Sequence, residues 1–282
     1  LFKKYNKPLF IEFVCASNFY ENNNIIHRFI NNFMDKKTKD MCLIADGVSY
    51  VTENILQKKY PCRKLIDKNL NDYYYNYYST VEIKKNDYFK QSWSLDNKPE
   101  ILMMVHVGFM DSNIKGQDSL IKIGKSLVDK GFKNFNITFV GDGKNKKDFE
   151  QLTKSLKLDQ YINFIGNVSD KNEIFKILRK SHLFVFPTHV EGMPRAIIEA
   201  MASGLPCLAS PVDGVPELIE DEFLIDYNDI EKYANKIIEL YNNYDKLIEM
   251  SNRNFNKSLE YSADILSKRR KDFYTKLKNV KE

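Results

Sequence analysis

The chain has 282 residues, room for two ordinary domains, and its 43% apolar content supports proper cores under a surface that is 29% charged. A net charge of +5 is mild and comes from a lysine-rich composition, which fits a solvated surface; no nucleic-acid motif accompanies it, so nucleic-acid binding is set aside. No apolar run approaches the ~18 residues of a membrane span, no secretory leader is read, and four cysteines (Cys15, Cys42, Cys62, Cys207) lack metal-like spacing, which points to a reducing compartment.

Leu1 leads almost at once into an apolar run, so the chain reads as a fragment or as a domain lacking its beginning. Pro8 to Val14 is expected to be a buried strand, with Cys15, like Cys207, a small core residue. Ile25 to Met34 has helical spacing, with Ile26, Phe29, Ile30 and Phe33 on one face. A strand is expected at Gly47 to Val51 and a helix after Thr52, whose hydroxyl suits a cap. The tyrosine run Tyr73 to Tyr78 leaves two readings open, an aromatic patch facing an acceptor or a membrane, and a divergent strand or loop packed on a domain face. Lys84 to Lys98 is polar and reads as a linker.

From Pro99 the pattern is regular. Strands are expected at Ile101 to Val107, Asn136 to Val140, Ile162 to Ile165, Leu183 to Phe186 and from Pro206 to Ala209, with Phe223 to Ile225 as a last one. Helices are expected at Gln117 to Lys130, Lys146 to Leu156, Lys171 to Lys180, Ala196 to Ala202 and Ile230 to Tyr241, followed by a helical tail, about Asp245 to Lys278. Strand and helix alternating at this spacing predict an α/β fold with a parallel sheet and right-handed crossovers.

The chain is organised around Leu183 to Glu217. Its apolar strand ends at Pro187, a polar loop containing Gly192 follows, and Pro194 suits the first position of the next helix, with Gly204 as its stop. A helix start at a strand's carboxyl end favours a phosphate, through unpaired N–H groups and the helix dipole. Glu191 before that helix and Glu199 inside it would repel an anion, so hydroxyls are the better partners for them. A phosphate site flanked by two hydroxyl acceptors suits a sugar joined to a nucleotide.

Glu191-Gly192-Met193-Pro194, Glu199-Ala200-Met201-Ala202, Gly204-Leu205-Pro206 and Gly214-Val215-Pro216-Glu217 together resemble the donor-site signature of glycosyltransferase family 4, with its E-x7-E spacing. The resemblance implies a GT-B fold of two Rossmann-like domains and a retaining, hexosyltransferase-type reaction. A sugar would pass from a nucleotide-diphosphate donor to a glycan or lipid-linked acceptor, in polysaccharide or glycoconjugate synthesis. It divides the chain into a partial acceptor-side domain with linker (1–97), a nucleotide-sugar domain (98–243) and C-terminal helices (244–282), the last packing back on the first domain.

By resemblance, Glu191 contacts the donor sugar near the reacting carbon, Glu199 the ribose, and the backbone of Gly192, Met193, Pro194 and Arg195 the diphosphate. Lys115 would neutralise phosphate charge, and Gly166-Asn167-Val168 would lie against the base. The family's Gly-Arg is Gly108-Phe109 here, which removes a bidentate phosphate donor, and Arg195 is expected to supply part of that charge. Glu217, like Gly141 and Gly143, reads equally as packing or as donor contact. His106 is expected in the core, and His189 either in an exposed loop or facing the sugar. No Asp-x-Asp motif is present, so the diphosphate site is expected to need no metal and no cofactor. The expected location is the cytoplasm, with peripheral association at the inner membrane face as one option. The alternative reading is a non-catalytic nucleotide-sugar-binding scaffold in a polysaccharide assembly complex.

Overall fold

A computed structural model describes residues 8–14, 24–67, 69–70 and 74–279. Two parallel sheets follow one another along the chain. The first has three strands, β1 (Phe10–Phe13), β2 (Gly47–Tyr50) and β3 (Tyr74–Tyr77), in that order. Helix α1 (Ile25–Ile44) joins β1 to β2, and the short α2 (Ile55–Lys59) and α3 (Arg63–Ile66) lie before β3.

The second sheet has five strands: β4 (Leu102–Val107), β5 (Phe135–Val140), β6 (Ile162–Gly166), β7 (Leu183–Phe186) and β8 (Cys207–Ala209). Helices α4 (Gln117–Asp129), α5 (Lys146–Ser155), α6 (Lys171–Arg179) and α7 (Arg195–Ala202) connect them in turn. The strand order β6-β5-β4-β7-β8 means that the chain winds outward from β4, then returns to its other side. The C-terminal ends of β4 and β7 therefore flank the switch point where open parallel sheets take ligands. All four residues of β7 are buried, as a strand covered by helices on both faces demands. Helices α8 (Ile230–Asn242), α9 (Tyr244–Ser258) and α10 (Ala263–Asn279) end the chain.

Helix α10 turns back onto the small sheet, where Asn76 Nδ2 donates to Arg269 O at 2.8 Å and Phe273 lies 5.6 Å from the Tyr74 ring. The tyrosine run is thus a strand packed on a face, with Tyr73 outside the described residues. Cys15 also lies outside them, while Cys207 is fully buried. The stretch Lys84 to Lys98 is a packed strap: the Phe89 N–H donates to Ala202 O at 2.8 Å, and Gln91 Nε2 reaches Arg179 O (3.2 Å) and Ser203 O (3.1 Å).

Four elements depart from expectation. Strand β1, expected as buried over Pro8 to Val14, is Phe10–Phe13 and half-buried, with Glu12 and Val14 exposed. Helix α1 runs ten residues further than Met34, because Asp35 pairs with Lys39 one turn on (2.7 Å) and the buried Cys42 and Ala45 fasten its end under β2. Its buried residues are Asn31 and Cys42, so Ile26, Phe29 and Phe33 face outward. Phe223 to Ile225 does not form a ladder strand: Asp221–Phe223 is a 3-10 turn, which leaves one bridge, Leu224 to Ala209. Pro194 has ψ 107°, outside the helical range, and caps α7 rather than opening it, leaving Arg195 first.

Candidate functional site

A cavity of about 390 Å³ opens between the two sheets. The large sheet lines it with Val107 at the end of β4, Gly108 and Phe109 after it, Gly141 after β5, and Asn167 and Val168 after β6. The unit after β7 adds Glu191, Met193, Pro194, Arg195 and Glu199, Lys115 lies on the same side, and Val140, Ile174, Phe186 and Ala196 add apolar surface. The small sheet contributes Val14, Val51 and Thr80.

Two short loops are locked together beside β4 and β7. Residues Asn113–Lys115 form a 3-10 turn whose Ile114 carbonyl accepts the His189 N–H (2.8 Å) and the Thr188 hydroxyl (3.0 Å). Gly116, at φ +77°, lies so close to Pro187 that a Cβ there would be 1.9 Å from its carbonyl oxygen. Only glycine tolerates both the conformation and the approach. This contact sets Lys115 facing the loop after β7, where its ammonium forms an ion pair with the Glu191 carboxylate.

Glu191 is 9% exposed. Its Oε1 also lies 3.2 Å from Thr188 Oγ1, and its backbone N–H donates to Asp213 Oδ2 at 3.0 Å. Burial pushes its carboxyl above the usual carboxylate range, against the pull of Lys115 and Thr188, with Asp213 adding repulsion. Glu199 projects from α7 into the same cavity and, among the described residues, forms no side-chain hydrogen bond. Burial raises its carboxyl too, while Lys171 and Arg195 draw it down and Asp87 raises it. Arg195 is exposed at the rim. The first turn of α7 presents backbone N–H groups that no helical carbonyl takes.

The sequence-derived candidates therefore divide. Lys115, Val168, Met193, Pro194, Arg195, Glu191 and Glu199 come together on the cavity wall. Gly192 and Gly166 do not line it; Gly192 O instead accepts the Gly214 N–H at 2.9 Å, and Gly166 turns the chain at φ +77° beside Lys146. Lys115, expected beside a phosphate, is engaged by Glu191. Phe109, where the resemblance implies an arginine, is 68% exposed and lines the cavity.

His106 is buried between Phe139 and Phe186, at ring distances of 5.5 and 5.1 Å, and burial pushes its pKa down to about 3. His189 stacks on Tyr227 at 4.0 Å and does not line the cavity. Gly141 lines the cavity and is also structural: at φ +138° its Cβ would meet Gly108 O at 2.0 Å. Gly143 packs against Met110 and Asp111. Glu217 is turned toward α2 and accepts backbone N–H groups there.

The sequence reading missed Asp213, Thr188 and the residues from the small sheet. Asp213 stands at φ +42° beside Gly214, and the Asp-Gly pair is a turn signal, but nothing local joins it to Glu191, 22 positions away.

Residues 85–257, more than half the chain, match the family model described as Glycosyl transferases group 1. Protein CapJ of Staphylococcus aureus is 29% identical over 237 residues, covering 83% of this chain and 57% of that protein. The UDP-Gal:alpha-D-GlcNAc-diphosphoundecaprenol alpha-1,3-galactosyltransferase of Escherichia coli is 32% identical over 141 residues, 48% of this chain and 35% of the relative. The crystal structure of the pneumococcal O-GlcNAc transferase GtfA, solved with UDP and GlcNAc, superposes with a TM-score of 0.70 at 18% identity, over 96% of this chain and 53% of that one. The chain spans about half the length of the curated relatives it matches. Its strand order, its cavity between two parallel sheets and the matched residues agree: the chain belongs to the glycosyl transferases group 1 family and has the GT-B fold.

Proposed function

We propose that this chain carries the donor side of a retaining family 4 glycosyltransferase, which moves a sugar from a nucleotide diphosphate to a glycan or lipid-linked acceptor. The observation that carries the reading is the convergence of Glu191, Glu199, Lys115 and the start of α7 on one cavity at the switch point of the large sheet. The named relatives support it. CapJ and the Escherichia coli galactosyltransferase, whose name gives a GlcNAc-diphosphoundecaprenol acceptor, are relatives in sequence, and GtfA, solved with UDP and GlcNAc, shares the fold.

In this reading the diphosphate sits at the first turn of α7, where Arg195 and the free N–H groups meet its charge. Lys115 exchanges Glu191 for a phosphate oxygen as the donor arrives. Glu191, released toward the sugar, stabilises positive charge as the bond from the anomeric carbon to the diphosphate oxygen breaks. The acceptor oxygen attacks on the same face, and its proton passes to the departing phosphate oxygen. Glu199 accepts ribose hydroxyls, and the 166–168 loop lies against the base. The acceptor comes from the side of Val14, Val51 and Thr80, within residues 1–97, and a lipid-linked acceptor would bring the protein to a membrane surface. Among the described residues no helix is long and apolar enough to cross a membrane.

Incubating the full-length protein with a panel of nucleotide sugars tests the proposal. Transfer, or slow donor hydrolysis, is the expected result, and it should survive chelation by EDTA. Binding of a donor without turnover would favour a scaffold, and no binding of any nucleotide sugar would remove the reading.

A further inference from the structure

Residues 213–217 (Asp-Gly-Val-Pro-Glu) follow β8 as a loop and a 3-10 turn, Val215–Glu217. Neither Asp213 nor Glu217 lines the cavity. The two ends of this loop hold different parts of the molecule. At one end, Asp213 Oδ2 accepts the Glu191 N–H (3.0 Å), and the Gly214 N–H donates to Gly192 O (2.9 Å). At the other end, the Glu217 carboxylate accepts three successive backbone N–H groups of the small sheet's side. Glu53 donates to one oxygen at 2.7 Å, while Asn54 and Ile55 donate to the other at 2.8 and 2.7 Å.

These amides belong to Ile55, the first residue of α2, to its cap Asn54 and to Glu53 before it, so the carboxylate satisfies donors at the helix start with charge-assisted hydrogen bonds. Between the two ends the fit is tight. A Cβ on Gly214 would stand 2.4 Å from Gly192 O and 2.8 Å from Thr52 Cγ2. Asp213 is held in the left-handed region, at φ +42°, where a non-glycine residue stays only if its surroundings fix it. Five residues thus tie the backbone of Glu191 and Gly192 to a helix on the other side of the cavity.

We propose that this loop is a positioning element: the seating of α2 on Glu217 sets the backbone of Glu191 and Gly192 through Asp213 and Gly214. The proposal rests on the glycosyl-transfer reading only in naming Glu191 as the group that is placed. Glu217 and Asp213 are positioning residues: they act on the site only through the backbone they hold.

Amide hydrogen exchange on the purified chain tests the coupling without any substrate. Glu217→Gln replaces one accepting oxygen with a donor facing N–H groups. Exchange at Glu53 to Ile55 should rise about tenfold, the loss of a charged cap. The amides of Glu191 and Gly214 should rise in the same variant, although Glu217 touches neither. Asp213→Asn should speed Glu191 while leaving Glu53 to Ile55 within about twofold. If Glu217→Gln loosens the whole protein, Glu217→Asp, which keeps the charge on a shorter arm, supplies the same readout. Fast exchange at Glu53 to Ile55 with unchanged Glu191 and Gly214 overturns the proposal. In the full-length enzyme, Glu217→Gln should lower kcat and leave the donor KM within about twofold, whereas a raised donor KM at unchanged kcat would put Glu217 on the donor and overturn it. A wild-type enzyme without turnover would count against the functional reading and leave the exchange result standing.

Discussion

The two sheets are made of the same parts, parallel strands joined by helices, yet they share the site unequally. The five-stranded sheet brings Lys115, Glu191, Arg195 and Glu199 to the cavity, whereas the three-stranded one adds Val14, Val51 and Thr80. Their glycines differ in the same sense. Gly116, at φ +77°, abuts a carbonyl oxygen, Pro187 O at 1.9 Å from a Cβ, while at Gly47 the nearest atom is a side-chain one, of the Phe10 ring at 2.4 Å, and the carbonyl oxygen of Tyr74 stands further off at 3.0 Å. Charge and backbone constraint are concentrated at the point where the strand order reverses. The small sheet supplies a wall, and through α2 a seat for Glu217.

The largest expected effect breaks this comparison at its glycines. Gly116→Ala adds left-handed strain to a backbone clash, which should cost on the order of 4 kcal/mol. Gly47→Ala carries no left-handed strain, but its Cβ displaces the Phe10 ring, itself packed on Phe273, and comes within 3.0 Å of Tyr74 O, so it should cost less, about 2 kcal/mol. Urea denaturation of both variants measures the difference. Equal losses would mean that the two sheets are constrained alike.

Next comes Glu191→Gln, which keeps shape and removes charge. On the proposed reading, kcat for glycosyl transfer should fall about 100-fold, the scale of losing one charge-stabilising group at a reacting centre. Thermal stability should hold or rise, because a buried, desolvated carboxylate is removed, although Lys115 loses its partner. Unchanged kcat would take the chemistry away from the large sheet. Glu199→Ala should be milder, raising the donor Kd about tenfold with kcat nearly kept, as for one lost hydrogen bond to a charged acceptor. Calorimetry with the donor reads this directly.

Sequence alone exposed the large sheet because its signals are local. LFVF between Ser181-His182 and Pro187 is a buried strand by length, and Pro194 and Gly204 bracket a helix to within a residue at each end. Glu191 and Glu199 stood out because their spacing sits inside a longer pattern. The small sheet hid its logic. Helix α1 carries its apolar residues Ile26, Phe29 and Phe33 outward and is fastened by Asn31 and Cys42, so periodicity found the helix and not its packing. The interlock of Asp213 with Glu191 and of Glu217 with α2 joins residues 22 and more than 160 positions apart, which no window along the chain can reveal.

The last expected effect separates the two sheets by pH. His106, in β4, is fully enclosed between Phe139 and Phe186, and burial holds its pKa down at about 3, against an ordinary 6.5. The unfolded chain therefore binds a proton at this residue throughout the interval between those values, and the folded chain does not. Stability from this group is complete above pH 6.5 and falls as the pH drops toward 3, with a slope of about 1.4 kcal/mol per pH unit for one proton. His182, whose Nδ1 accepts the Met103 N–H at 3.0 Å, is lowered by burial as well and adds in the same direction. Glu191 and Asp213, raised by burial, act oppositely, since they hold protons more tightly when folded. His106→Leu removes one contribution and leaves the rest, so the variant and the parent should differ little at pH 7.5 and diverge in the variant's favour by pH 5. Parallel denaturation curves at both pH values would place the acid sensitivity outside β4, and with it the tightly packed centre of the large sheet.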